Sequence, residues 1–95
     1  MMSSLEKESN FIISILKTWN ELFKDINIRY AYENDSDFHI IEVSPETIRR
    51  GNKEFLEMEY QLYHQFYNEF KNDDILISEP CEFNDMSNLF YSNKL

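Results

Sequence analysis

Residues 26–43, INIRYAYENDSDFHIIEV, place two runs rich in β-branched and aromatic side chains on either side of the polar Asn34-Asp35-Ser36-Asp37. Such runs around a cluster of turn formers predict a β-hairpin. The next residues are Ser44-Pro45-Glu46-Thr47. Ser44 is expected to cap a helix, Pro45 lacks the amide that would be orphaned in the first turn, and Glu46 lies near the positive end of the helix dipole. The chain therefore changes from sheet to helix at Ser44, which makes the fold α+β.

The two strands of the hairpin differ. In the first, Ile28, Tyr30 and Tyr32 alternate with Asn27, Arg29 and Glu33, so one face is wet. In the second, Phe38 and Ile40 fall on one side and Ile41 and Val43 on the other. A strand that is apolar on both sides is covered on both sides, which predicts the central position. Its His39 is expected to be partly exposed.

Helical periodicity flanks the hairpin. Ile12, Ile15, Leu16, Trp19, Leu22, Phe23 and Ile26 recur at intervals of three and four, predicting a helix over about residues 4–24, with Ser3 and Glu6 at capping-box spacing and Ser9 or Asn10 as the alternative start of a shorter helix. A second helix is expected over 45–71, with Phe55, Met58, Leu62, Phe66 and Phe70 in one stripe and Leu56, Tyr60, Tyr63 and Tyr67 in another. Gly51 is unfavourable inside a helix by about 1 kcal/mol relative to Ala, so it is expected to end a short first turn, with Asn52 capping the main helix. Asn72-Asp73-Asp74 then forms a turn, and Ile75 to Ser78 reads as a third strand stopping before Pro80.

Strand–helix–strand units cross over right-handed, which sets the third strand parallel to the second. The expected architecture is a two-layer α-β-β-α-β domain with a small three-stranded mixed sheet, in strand order 1-2-3 with 2-1-3 as the alternative. Residues 79–95 form a C-terminal extension whose Phe83, Met86, Leu89, Phe90 and Tyr91 can dock on an edge or a face.

With 95 residues and 16% aromatics, one core is expected, burying roughly two-thirds of the unfolded surface. Cys81 is the lone cysteine and can form no internal disulfide, which favours a reducing compartment. No apolar run approaches the ~20 residues of a membrane span, and a cytoplasmic, soluble protein is expected. The formal charge is -9, with -2 carried by residues 1–53 and -7 by residues 54–95. Nucleic acids and anionic membranes are disfavoured as partners. A basic protein is favoured, although the same charge also serves solubility.

Chemistry finds few footholds. Gly51 is the one glycine, so glycine-rich phosphate loops and dinucleotide fingerprints are set aside. The softer metal donors His39, His64 and Cys81 are scattered, and Glu33, Asp35 and Asp37 lack the glycine and distal glutamate of a calcium loop. Glu79 and Glu82 near Cys81 disfavour its thiolate. Asp35 with Asp37 and Asp73 with Asp74 sit in turns, where Asp serves the backbone. No enzyme activity, cofactor or metal is expected.

The candidate partner-binding residues are Tyr60, Tyr63, Tyr67, Glu57 and Glu59. Tyrosine joins a large apolar face to a polar tip and is enriched at interfaces; the same rings can instead pack on the first helix around Trp19. The expected function is a non-catalytic interaction module of the inhibitor, immunity-protein or adaptor type. The alternatives are a homo-oligomer, such as a homodimer, that buries the second strand or the tail between subunits, and an enzyme or small-ligand binder with a pocket lined by Trp19, Tyr30, Tyr32 and His39.

Overall fold

A computed structural model describes residues 2–94. The elements are α1 (Ser4–Leu22), β1 (Asn27–Glu33), β2 (Phe38–Ser44), α2 (Glu46–Gly51), α3 (Lys53–Phe70), β3 (Ile75–Ser78) and β4 (Leu89–Ser92). Helices and a mixed sheet make an α+β fold. The sheet has four strands in the order β3-β2-β1-β4, rather than the three expected from sequence. The added strand comes from the tail. Its four residues, LFYS, lack clean alternation, and β4 forms by pairing with β1, whose outer edge would otherwise be open.

Local chemistry explains the helix ends. The Ser3 hydroxyl accepts a hydrogen bond from the Glu6 amide at 3.1 Å, as the capping-box spacing predicts. The helical span expected over 45–71 is two helices broken at Asn52, the position where Gly51 and an Asn52 cap predict the interruption. That residue ends α2, and its side chain accepts from the Phe55 amide at 3.1 Å to start α3. Ser44 is not the cap of α2. It is held extended in β2 opposite Asn27, which leaves the cap position to Pro45 and gives α2 no side-chain cap. The peptide between Ser44 and Pro45 is cis.

In the sheet, β1 and β2 form the expected antiparallel hairpin, with Tyr30 opposite Ile41 and Glu33 opposite Phe38. β3 lies parallel to β2, Ile77 beside Ile41. Ile28, Tyr30, Ile41, Val43, Ile75 and Ile77 meet Ile12, Leu16 and Trp19 of α1 and Phe55, Leu62 and Phe66 of α3 in one core. Trp19 and Phe55 contact edge-to-face at 5.1 Å, and Phe11 and Phe70 at 5.4 Å.

The opposite sheet face belongs to the tail. β3 and β4 are parallel and occupy opposite edges. The chain must therefore recross β2 and β1 between them. With the helices filling one face, residues 79–88 cross the other, which also keeps a right-handed connection because both the direction and the face are reversed. Ile40 and Ala31 are buried on this side.

Candidate functional site

The outward side of α3 carries the sequence-selected residues. Phe55, Leu62 and Phe66 turn into the core, and helical spacing then sends Leu56, Tyr60 and Tyr67 together to another side. These three are 44%, 62% and 53% exposed. Tyr60 stacks on the ring of His64 at 5.6 Å, and Glu57 is exposed beside them.

Tyr63 and Glu59 have internal roles instead. The Tyr63 hydroxyl accepts the Ile77 amide at 2.9 Å, and an Arg49 guanidinium nitrogen donates to the Ile77 carbonyl at 2.9 Å. The two side chains close the free edge of β3. Glu59 pairs with the same guanidinium at 3.3 Å, while Arg49 also reaches Glu79 at 2.9 Å. Burial pushes the Glu59 carboxyl above the usual carboxylate range, against the pull of Arg49, and its second oxygen is buried without a partner. Of the five selected residues, Tyr60, Tyr67 and Glu57 face solvent, and Tyr63 and Glu59 face the fold.

A second constellation lies inside. The Tyr30 hydroxyl is 2.6 Å from His39 Nδ1, and His39 Nε2 is 2.7 Å from a Glu8 carboxylate oxygen. A carboxylate can only accept, so Nε2 carries the proton, and Nδ1 accepts from Tyr30. Burial, with Glu8 and Tyr32 adding to it, holds the Tyr30 hydroxyl far above its ordinary range, so it stays a donor. Burial pushes His39 below its ordinary value and outweighs the hydrogen bond and charge of Glu8, which act the other way.

His39 is not partly exposed as its sequence position suggests. It is fully buried, because the pleat of central β2 turns it to the helix face, edge-on to Phe66 at 5.5 Å. Tyr30 and Trp19 are buried in the same core. The relay resembles a nucleophile–base–carboxylate chain in its connectivity, but its nucleophilic end is sealed.

The third cluster lies outside the residues to which the sequence points. Glu42, 2% exposed, lies on the tail face of β2 and binds the Arg29 Nε at 3.1 Å. Its other oxygen accepts the Cys81 amide at 3.1 Å and the Asn84 side-chain amide at 2.9 Å. Burial pushes Glu42 up, but the hydrogen bonds from Asn84, Cys81 and Arg29 outweigh it and hold the carboxyl below its usual range. A cleft of about 230 Å³ opens beside it, lined by Asn27, Arg29, Ser44, Asn93 and Lys94. The one legible signal is a glutamate on the same side of the strand as Phe38 and Ile40. Its tail partners lie 39 and 42 residues away, beyond any local pattern.

Among the described residues, no three His, Cys, Asp or Glu side chains converge as a metal cluster, and no helix is long and apolar enough to cross a membrane. Comparison with protein-family models, curated proteins and solved structures finds no match. This chain's own geometry is what speaks to function.

Proposed function

We propose that this protein is a non-catalytic protein–protein interaction module, of the inhibitor, immunity-protein or adaptor type, that binds a basic partner through α3. The observation that carries the proposal is the solvent-facing row of Leu56, Tyr60 and Tyr67 with Glu57 alongside. Large side chains left exposed on one helix face offer apolar area with polar tips, the chemistry of interface anchors. The charge of -7 over residues 54–95 supports a basic partner, since opposite charge speeds encounter and selects against acidic competitors. The exposed thiol of Cys81 suits a reducing compartment such as the cytoplasm.

The test is affinity capture from a lysate of the native cells, with wild type and a Tyr60→Ser/Tyr67→Ser double variant side by side. A stoichiometric partner retained by wild type, lost as salt rises and lost by the variant is the expected result. The melting curve of the variant should be nearly unchanged, because both rings are more than half exposed. Retention of the partner by the double variant would sink the assignment to α3, and a collapsed melt would return the rings to a packing role.

A further inference from the structure

Phe83 is 85% exposed, more than any other large apolar side chain described. It sits in the tail between β3 and β4, in a turn closed by the Asn84 amide donating to the Cys81 carbonyl at 3.1 Å. Glu82 and Phe83 are the two residues at its apex. Exposed rings are common on floppy loops, but this turn is held. The same buried oxygen of Glu42 binds the Cys81 amide before the apex and the Asn84 side chain after it, and Asn84 also reaches the Ser78 hydroxyl at 3.0 Å. Farther on, Asp85 accepts from the Ser87 amide and hydroxyl at 3.0 and 2.7 Å. Asn88 then exchanges hydrogen bonds with the backbone of Tyr32, donating to its carbonyl at 3.2 Å and accepting its amide at 3.1 Å.

A buried carboxylate thus fixes both shoulders of a turn whose tip puts a phenyl ring in water. Within this chain that arrangement stabilises the strap and leaves the ring unused. Toward a partner it has a clear use, because a ring already fixed in place forfeits little conformational freedom on binding. We propose that the Cys81–Asn84 turn is a preorganised recognition element in which Phe83 anchors in an apolar pocket of a protein partner rimmed by Lys and Arg. The basic rim follows from charge complementarity: Glu82 shares the apex, Asp85 follows it, and both are exposed. A second copy of this chain, itself at -9, meets these acids with like charge. The element rests on its own observations and does not depend on the role given to α3.

The experiment selects binders to the full chain from a displayed library of random peptides. The enriched peptides are then titrated against wild type, Phe83→Ala, Asn84→Ala and the Tyr60→Ser/Tyr67→Ser variant. The expected peptides combine Lys or Arg with a bulky apolar residue and bind Phe83→Ala at least ~10-fold more weakly, as for an anchor residue. They weaken as salt rises from about 50 to 300 mM, and they bind the double tyrosine variant as well as wild type. Asn84→Ala, which keeps the ring but releases a shoulder, should weaken them severalfold. The melt of Phe83→Ala should match wild type, given the exposure of the ring.

Absence of enrichment, or equal binding by Phe83→Ala, would overturn the proposal. Loss confined to the double tyrosine variant would overturn it too while upholding α3. Equal binding by Asn84→Ala would remove the preorganised turn, and a dimer abolished by Phe83→Ala would reassign the ring to self-association.

Discussion

His39 occupies the middle of the sheet with both ring nitrogens engaged, one by Tyr30 from β1 and one by Glu8 from α1. Its backbone amide also binds the Asp74 carbonyl at 2.9 Å, and Asn72 approaches the second Glu8 oxygen at 3.4 Å. One residue therefore ties together α1, the hairpin and the turn before β3. Removing the Tyr30 hydroxyl by Tyr30→Phe would leave a buried nitrogen unpaired and should lower stability by about 1–3 kcal/mol. The pH dependence has a definite sign. The folded His39 resists the proton that the unfolded chain takes up near 6.5, so stability falls as pH drops through that value. Glu42 and Glu79, both held below the usual carboxylate range, add their losses only at lower pH. Glu59, held above it, acts in the opposite direction. Urea midpoints between about pH 8 and 5.5 should decline for wild type and stay flatter for His39→Gln. Equal slopes in the two proteins would discount the histidine.

At the scale of elements, termini and edges carry most of the specific chemistry. α1 and α3 each begin at a side-chain cap, Ser3 and Asn52. α3 ends at Lys71, whose φ of 60° and ψ of 28° lie in the left-handed region that favours glycine. Its amide still closes the helix on the Tyr67 carbonyl at 2.8 Å. Lys71→Gly should therefore stabilise the protein by roughly 0.5–1 kcal/mol, read from thermal or urea unfolding; a loss would mean that the lysine makes a compensating interaction. At the β3 edge the capping groups come from side chains, with Tyr63 on the Ile77 amide and Arg49 on the Ile77 carbonyl. Such coverage keeps an edge strand from pairing with another chain. It also explains why Tyr63 stands apart from Tyr60 and Tyr67, although all three occupy neighbouring helical positions.

For the molecule as a whole, the tail changes a hairpin-plus-one sheet into a closed two-faced layer. α1 and α3 bury one face, the strap of residues 79–88 crosses the other, and β4 covers the edge of β1. The tail's fastenings are the Glu42 carboxylate at one end and Asn93 at the other, the latter accepting the Ile28 amide at 2.8 Å and donating to the Ile26 carbonyl at 2.8 Å. Glu42→Ala would strand the Cys81 and Asn84 donors and free Arg29. The expected loss is roughly 2 kcal/mol, below the ~3–5 kcal/mol for breaking a fully buried pair, because the half-exposed Arg29 can regain water. Amide exchange should accelerate first in residues 79–92 of that variant; uniform acceleration across the sheet would show instead that Glu42 supports the whole fold.

Residue order along the chain settles what local physics controls. Alternation and turn formers placed the hairpin, periods of three and four placed α1 and α3, and hydroxyl and amide side chains marked their starts. Apolar residues on both sides of Phe38–Ser44 foretold a central strand, and handedness foretold a parallel third strand. Of the candidate surface, the stripe of Tyr60, Tyr63 and Tyr67 was legible from spacing, because a helix fixes which residues share a side. What spacing leaves open is what lies next to that side. Packing between distant segments is what turns Tyr63 and Glu59 inward to β3 and Arg49, buries His39 and makes LFYS a strand. Each of these depends on a partner many residues away, and β4 exists only because an open strand edge offers backbone groups that a weakly patterned tail can satisfy.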